Sequence, residues 1–156
     1  MAGWTIEERS WDDAAGAALR AAQRAELDAR YGSGDHEPGA APSAADVDVF
    51  LVAVRGGAAV GCGALRRLDA TTAEIKRMYV TPPSRGTGVA TALLRALEAA
   101  ATERGWPVLR LETGTEQPDA WRFYEREGYR RVPLFGGYES SALSVCYERV
   151  LAAGTG

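Results

Sequence analysis

The sequence is poor in the side chains that usually bind metal ions. Among 156 residues there is one histidine, His36, and there are two cysteines, Cys62 and Cys146. The cysteines are far apart in the chain and form no C-x-x-C pair, the spacing typical of zinc and redox sites. We therefore expect no metal, and we expect both cysteines to be buried, reduced thiols.

Long apolar runs and an excess of positive charge are also absent. No apolar stretch approaches the ~18 residues of a membrane-spanning helix, and the first residues lack the basic and apolar segments of a secretory signal. The net charge is −3, and Lys76 is the only lysine. Because nucleic-acid binding needs a basic face, we expect a cytoplasmic protein that binds neither nucleic acid nor membrane.

The composition is otherwise that of an ordinary globular protein, with 46% apolar and 25% charged residues. A chain of this length can bury a core of its own. The sequence contains no internal repeat and no linker-like stretch. We therefore predict one domain over residues 1–156.

The hydrophobic pattern predicts three helices and seven short strands. Apolar residues spaced three and four apart predict helices, at residues 14–30, 88–104 and 118–127. Alternating or short apolar runs predict strands, at residues 4–9, 49–54, 59–68, 73–80, 108–113, 129–132 and 143–150. Short turns join the second, third and fourth strands, which predicts an antiparallel meander. The helix between the fourth and fifth strands predicts that these two pair in parallel. The predicted fold is α/β, of the α+β type: a mixed, mostly antiparallel sheet of about six to seven strands with flanking helices.

The chain is organised around a glycine-rich loop between the fourth strand and the second helix. Its sequence is Arg85-Gly86-Thr87-Gly88-Val89-Ala90-Thr91. A glycine-rich turn that opens a helix presents N–H groups at the positive end of the helix dipole, which suits a phosphate. The loop lacks the Gly-Lys-Ser/Thr of a Walker loop and the third glycine of a dinucleotide fold. By itself it indicates either an anion site or a structural helix start.

Together with its neighbours, this loop resembles the central motif of the GNAT family of N-acetyltransferases. In that motif a strand and a short turn lead to Arg/Gln-x-x-Gly-x-Gly/Ala, which opens a helix. A second match lies downstream, where Leu109-Arg110-Leu111-Glu112-Thr113 is similar to the family's fifth strand. The stretch from Ala120 to Tyr129 then resembles the next helix, with Tyr124 and the closing Gly128-Tyr129. The resemblance covers about residues 49–150. Residues 112–118, 135–138 and 144–146 further resemble a bacterial subgroup of small-molecule acetyltransferases.

The resemblance implies that acetyl-CoA is the co-substrate and binds where the fourth and fifth strands splay apart. It implies that the backbone of residues 78–80 pairs with the pantetheine arm, and that the amides of residues 86–91 hold the pyrophosphate. Arg85 either adds positive charge or is a solvated side chain. Gln117 stands where many members have an asparagine that contacts the pantetheine arm. The candidate cofactor-binding residues are therefore Met78, Tyr79, Val80, Arg85, Gly86, Thr87, Gly88, Val89, Ala90, Thr91 and Gln117.

Tyr124 is the candidate general acid, because it matches the family tyrosine that donates a proton to the departing CoA thiolate. A phenol with a pKa of ~10 can stabilise or protonate a thiolate whose thiol has a pKa of ~8.5. Outside the motif, an aromatic residue on an amphipathic helix would indicate a core position. The candidate general bases are Glu74 on the fourth strand and Glu112 on the fifth, with a slight preference for Glu74. Either glutamate could instead pair with a neighbouring arginine or lysine.

The implied reaction is the direct transfer of the acetyl group of acetyl-CoA to a primary amine of a small molecule. The candidate acceptor-pocket residues are Trp121, Phe135, Tyr138 and the loop residues Asp35, His36 and Glu37. The loop could equally be a solvated connection, and the aromatic residues could cover the edge of a core. Two alternatives stay open: acetylation of a protein N-terminus or lysine, and a non-catalytic acyl-CoA-binding module. A homodimer is possible by analogy with the family alone, and the sequence identifies neither the oligomeric state nor the acceptor.

Overall fold

The computed structural model describes residues 3–34 and 38–151. In this part of the chain the strands are β1 (Trp4–Glu8), β2 (Val49–Arg55), β3 (Ala58–Arg67), β4 (Thr72–Val80), β5 (Val108–Gly114), β6 (Arg130–Val132) and β7 (Ser144–Val150). The α-helices are α1 (Ala14–Tyr31), α2 (Val89–Glu103) and α3 (Pro118–Arg126), and two 3₁₀ turns lie at Pro82–Ser84 and Gly136–Tyr138. Every predicted helix and strand is present, with each end within one residue of the prediction.

The seven strands form one sheet in the order β1-β2-β3-β4-β5-β7-β6. Neighbouring strands are antiparallel except β4 and β5, which are parallel. The meander of β2, β3 and β4 and the parallel pairing of β4 with β5 are therefore confirmed. A parallel pair needs a long connection, and α2 supplies it.

The helix ends follow from local side-chain chemistry. The Asp13 carboxylate accepts the Gly16 N–H (2.9 Å) and caps the start of α1. Pro118 occupies the first turn of α3, where a missing N–H costs nothing. After α2 and α3 the chain turns at Gly105 and Gly128, with φ of 78° and 98°. These left-handed glycines end each helix as the sequence predicts.

The sheet buries apolar residues on both faces. On one face α2 packs with Leu93, Leu94 and Leu97 into the larger core, which also includes Tyr124 of α3. On the other face α1 covers a smaller core that includes Leu19 and Phe50. A Cβ on Gly16 of α1 would collide with the Phe50 ring, so the glycine allows the helix to lie close to β2.

The feature that creates a site is the divergence of β4 from β5. Residues 72–75 of β4 pair with residues 108–111 of β5, and the pairing then stops. β4 continues alongside β3 to Val80, while β5 continues alongside β7 to Gly114. The register of β4 on β3 also shifts beside Arg77, whose φ is 58°. Such a bulge bends a strand and redirects its backbone groups, here at the mouth of the opening.

Two further observations concern the described residues only. None of their helices combines the length and apolarity that crossing a lipid bilayer requires. Their His, Cys, Asp and Glu side chains form no group of three or more that could hold a metal ion.

Candidate active site

The divergence of β4 and β5 opens a cleft with two connected parts. The first part, which we call the wide chamber, has a volume of about 550 Å³. It is lined by Met78, Tyr79, Val80, Ser84, Arg85, Gly86, Gly88, Ala90, Thr91, Asp119, Ala120, Phe123, Tyr124 and Arg126. The second part, the narrow chamber, has a volume of about 110 Å³ between α1, β4 and β5. Met78, Ala120 and Tyr124 line both chambers, so the two parts meet at these residues.

Most of the predicted cofactor residues line this cleft. Eight of them line the wide chamber: Met78, Tyr79, Val80, Arg85, Gly86, Gly88, Ala90 and Thr91. Gln117 lines the narrow chamber instead. Val89 points into the core with 1% exposure, and the Thr87 hydroxyl donates to the Ser84 carbonyl. The contribution of these last two residues would therefore come from their backbone N–H groups.

The start of α2 has the features of an anion site. Gly88 precedes the helix with φ of 94°, and no side chain caps it. The first bond into the helix runs from the Ala92 N–H to the Gly88 carbonyl (3.0 Å). The N–H groups of residues 89–91 consequently have no acceptor within the helix, as is general for a first turn. They lie beside the wide chamber, where a phosphate would meet the positive end of the helix dipole.

Arg85 connects the glycine-rich loop to α1. Its Nε donates to the Val80 carbonyl (2.9 Å), and its Nη2 donates to Glu26 on α1 (2.7 Å). Arg85 is therefore not a merely solvated side chain, although it lines the wide chamber. Arg126 of α3 lines the same chamber and was not indicated by any motif.

Side chains already form hydrogen bonds with some of the backbone groups at the free edge of β4. Thr81 donates its N–H to Val60 of β3 (2.9 Å), and backbone groups alternate sides along a strand, so those of Val80 face the cleft. The Val80 carbonyl accepts from Arg85, and the Met78 carbonyl accepts from Nε2 of Gln23 on α1 (2.9 Å). Both carbonyls therefore already accept one hydrogen bond before any chain is added to this edge.

Tyr124 lies where the two chambers meet. Its side chain is 6% exposed and packs edge-to-face on Tyr129 (5.7 Å between ring centroids). Among the described residues its hydroxyl has no hydrogen-bond partner, and burial raises its pKa above the ordinary value. Tyr124 is therefore a neutral phenol at physiological pH, with a donor free to act on a group in the cleft.

The two candidate bases have different surroundings. Glu74 is 1% exposed, and its carboxylate accepts from Arg66 (2.9 Å) and from the Tyr138 hydroxyl (2.6 Å). The Lys76 ammonium lies 3.7 Å from the same carboxylate. Glu74 is not among the described residues that line the two chambers. Its buried ion pairs indicate that it stabilises the fold.

Glu112, in contrast, lines the narrow chamber. Its Oε2 accepts from the Ser144 hydroxyl (2.7 Å), which fixes the carboxylate from the neighbouring strand β7. Glu112 and Tyr124 thus border the same small space from two sides. These contacts move the preference for the base from Glu74 to Glu112, and the role of either residue stays a prediction.

The aromatic residues predicted for the acceptor pocket lie elsewhere. Tyr138 belongs to the buried network of Glu74, and Phe135 packs against it at 5.3 Å between ring centroids. The Trp121 Nε1 donates to the Gly114 carbonyl (2.9 Å) and supports the end of β5. None of these three is among the described residues that line the narrow chamber. Asp35, His36 and Glu37 lie outside the described residues.

The wall of the narrow chamber that the sequence did not indicate comes from α1. It consists of Arg20, Gln23, Arg24, Leu27 and Tyr31. These positions are three, four, seven and eleven residues from the first, so they form one stripe of a helix. The sequence does show this polar stripe within the apolar face of α1. The pattern alone does not predict which part of the protein the stripe faces.

Neither cysteine is suited to act as a nucleophile. Both are buried, and burial raises the pKa of Cys62 to about 12 and that of Cys146 to about 11. Because the reactive species is the thiolate, both thiols are inert at physiological pH. A route through an acylated cysteine therefore has no support in this cleft.

Comparison with known proteins agrees with this geometry. The family model described as the acetyltransferase (GNAT) family matches residues 12–129. A protein of Azospirillum brasilense named IAA acetyltransferase is 38% identical over 103 residues, which are 65% of this chain and 67% of that protein.

Solved structures extend the similarity to nearly the whole chain. A Klebsiella pneumoniae protein described as an acyl-CoA N-acyltransferase is 37% identical, with a TM-score of 0.81 over 97% of this chain and 99% of its own. A GNAT family acetyltransferase of Elizabethkingia anophelis, solved with acetyl-CoA bound, is 17% identical with a TM-score of 0.72. It covers 97% of this chain and 100% of its own, and at this identity it supports the fold alone.

Proposed function

Since the chain belongs to the GNAT family of acetyltransferases, we propose that it acetylates the primary amine of a small molecule that enters the narrow chamber. The family activity is acyl-CoA N-acetyl transfer. The observation that carries the proposal is the meeting of two chambers at Tyr124. One chamber has the size and helix start suited to a coenzyme, and the other has room for a small acceptor only.

Acetyl-CoA would occupy the wide chamber. The N–H groups at the start of α2 would hold its pyrophosphate, and the positive charge of Arg126 would support them. The pantetheine arm would run along the edge of β4 at residues 78–80, towards Tyr124. No metal takes part in this proposal, and the acetyl group would be transferred without a covalent enzyme intermediate.

The transfer itself would need two residues of the chain. The amine nitrogen attacks the thioester carbonyl, the new C–N bond forms, and the C–S bond breaks. The proton lost by the amine passes to Glu112 and then to water. The Tyr124 hydroxyl donates a hydrogen bond to the departing sulfur, which is finally protonated to give free CoA. Since the pKa of Tyr124 is raised, the phenol keeps its proton throughout and acts as a hydrogen-bond donor to the thiolate, which then takes its proton from water.

The dimensions of the narrow chamber favour a small acceptor over a protein substrate. The end of α1 is attached to the start of α3, because Arg30 contacts Asp119 (3.4 Å) and the Tyr31 hydroxyl accepts the Glu116 N–H (3.1 Å). These contacts bridge the opening where a peptide would need a continuous groove. A non-catalytic acyl-CoA-binding module is disfavoured because Glu112 and Tyr124 border the same space.

The test combines a binding measurement with a turnover measurement. Isothermal titration should detect acetyl-CoA binding, and release of the CoA thiol should be observed with at least one member of a panel of small amines. A peptide array acetylated faster than every free amine would contradict the small-molecule acceptor. Acetyl-CoA binding without thiol release on any amine or peptide would favour the non-catalytic module.

A further inference from the structure

The narrow chamber contains a cation and a hydrogen-bond acceptor that the protein itself leaves unsatisfied. Nη1 of Arg20 and Oε1 of Gln23 are buried and have no hydrogen-bond partner within the described part of the chain. The two residues are three apart on α1, and both line the chamber. A buried polar atom without a partner is costly, so the pair indicates a ligand that supplies the missing contacts.

Arg20 is held in position by aromatic rings and not by an acid. Its guanidinium carbon lies 3.6 Å from the centroid of the Trp11 ring and 5.0 Å from that of Phe50. Among the described residues no carboxylate lies within 4.0 Å of it. Burial also lowers its pKa, because the site desolvates the charge. The guanidinium, which stays charged at physiological pH, is therefore held in one orientation without a counter-ion from the described residues, and an anion in the chamber would supply one.

Two of the other three lining cations are already paired with groups of the protein. Arg24 lies 3.4 Å from Asp28, and Lys76 donates to the Tyr138 hydroxyl (2.8 Å) beside Glu74. Among the described residues that line the chamber, four are cationic and Glu112 alone is acidic. Arg20 is the lining cation that has a donor without a partner in the described part of the chain, and its charge favours an acceptor that carries negative charge.

Gln23 has its orientation fixed by the sheet. Its Nε2 donates to the Met78 carbonyl (2.9 Å) at the free edge of β4. This bond leaves Oε1 as an acceptor inside the chamber, suited to an N–H donor. A molecule with an acid group and an N–H group would satisfy Arg20 and Gln23 together, and neither a simple alkylamine nor a polyamine would do so.

We propose that the acceptor is an amine that also carries an acid group, bound with the acid on Arg20 and an N–H on Gln23. This inference rests on the proposed function, because it assigns the acceptor of the same cleft. Carboxylates and phosphonates offer the same oxygen acceptors to a guanidinium, so amino acids and aminoalkylphosphonates form the two arms of the test.

The experiment compares matched pairs of amines with and without the acid group. The panel is the twenty amino acids against their amides, and 2-aminoethylphosphonate against ethanolamine. Binding to the CoA-loaded protein is measured by titration calorimetry, and turnover is measured by thiol release. At least one acid-bearing amine should bind at least about tenfold more tightly than its neutral partner, as expected for a charged hydrogen bond.

The variant Arg20→Gln removes the charge and keeps a polar side chain on α1. It should weaken binding of the acid-bearing amine by about 10- to 100-fold and leave the affinity for acetyl-CoA and for the neutral partner unchanged. Arg104→Gln is the matched control, because Arg104 also lies over a tryptophan ring, Trp106, but outside the cleft. It should behave like the wild type in both assays.

The outcomes separate this inference from the proposed function. Arg20-dependent binding of an acid-bearing amine without any thiol release would support the site and contradict the acetyl transfer. Thiol release on neutral amines alone, or no binding of any acid-bearing amine in the panel, would overturn the inference and leave the transfer standing. An equal loss of affinity for acid-bearing and for neutral amines in Arg20→Gln would also overturn the inference, since that result indicates a structural effect of the substitution.

Discussion

Two glutamates on neighbouring strands show how surroundings decide the use of a side chain. Glu74 and Glu112 both project from the face of the sheet that α1 covers, because Glu74 pairs with Arg110, two residues before Glu112. Arg66, Tyr138 and Lys76 surround the Glu74 carboxylate. Glu112 instead borders the narrow chamber. The two carboxylates are chemically identical, and their different surroundings therefore predict a structural role for Glu74 and proton transfer for Glu112.

The first prediction separates these two roles. Glu112→Gln should lower kcat by about 10²- to 10⁴-fold, the usual contribution of a general base, with little change in thermal stability. Glu74→Gln should instead destabilise the fold by on the order of 3 kcal/mol, because Arg66 and Lys76 lose a buried counter-charge. Steady-state kinetics and urea unfolding of the same two preparations check both results. A large loss of kcat in Glu74→Gln at unchanged stability would restore Glu74 as the base.

The second prediction concerns the phenol at the junction of the chambers. Tyr124→Phe removes only the hydroxyl, which has no partner among the described residues, so the packing on Tyr129 is kept. The kcat should fall by about 10²-fold because the leaving thiolate loses its donor, while the Kd for acetyl-CoA stays close to that of the wild type. A matched control is Tyr147→Phe, whose hydroxyl donates to Glu125 outside the two chambers. Unchanged turnover in Tyr124→Phe would contradict the assigned role.

At the scale of elements, α1 is the part of the structure that contacts the borders of both chambers. Through Gln23 it contacts the edge of β4, through Glu26 it contacts the glycine-rich loop, and through Arg30 it contacts α3. All three contacts are made by side chains along one helix. The position of α1 therefore affects both chambers at once.

The third prediction tests the loop that precedes α2. Gly86 has φ of 77° and open space around it, so Gly86→Ala would cost about 1 kcal/mol of backbone strain and add a methyl group beside the phosphate site. The Kd for CoA should rise, whereas the KM for acetyl-pantetheine, which lacks the pyrophosphate, should change little. Calorimetry and thiol release measure the two quantities.

Gly56→Ala is the matched control for this loop variant. Gly56 has φ of 56° and equally open surroundings, but it lies in the turn between β2 and β3. Its backbone strain should be similar, and its affinity for CoA should equal that of the wild type. If both variants weaken CoA equally, the effect comes from stability and the assigned phosphate site is wrong.

At the scale of the whole molecule, the core is sensitive to alkaline pH. Burial raises the pKa of the Cys62 thiol to about 12 and that of Cys146 to about 11, and it also raises the pKa of Tyr124 and Tyr129. In the unfolded chain the thiols lose their protons near pH ~8.5 and the phenols near ~10. At pH values between the pKa values of the unfolded chain and those of the folded protein, the unfolded state binds fewer protons than the folded state.

The fourth prediction follows from this difference. The free energy of unfolding should be at its full value below pH ~8.5 and should fall as pH rises towards 12, by up to ~1.4 kcal/mol per pH unit for each thiol. Urea unfolding under reducing conditions between pH 7.5 and 10.5 measures the slope. Cys62→Ala should reduce the slope by the share of one thiol, and an unchanged slope would contradict the assignment.

Local patterns in the sequence predicted the elements and part of their pairing, namely the meander of β2, β3 and β4 and the parallel pair of β4 and β5. Period-two and period-3.6 patterns, left-handed glycines after α2 and α3, and short turns are local properties of the chain, and all of them are found in the structure. The glycine-rich loop and the position of Tyr124 are also encoded locally, and most of the residues predicted to bind the coenzyme line the wide chamber. Their role in binding stays a prediction.

Only the tertiary structure decided which side chains face each other across the cleft. Whether Glu74 or Glu112 meets the chamber depends on the contacts that Tyr138, 64 residues further along the chain, and Arg66 of β3 make with the Glu74 carboxylate. That Arg20 and Gln23 line the narrow chamber depends on where α1 lies on the sheet. These are contacts between residues far apart in sequence, and local patterns carry no information about them. The glycine-rich loop and its neighbouring motifs therefore predict the donor from sequence, whereas the proposal for the acceptor depends on the packing of α1.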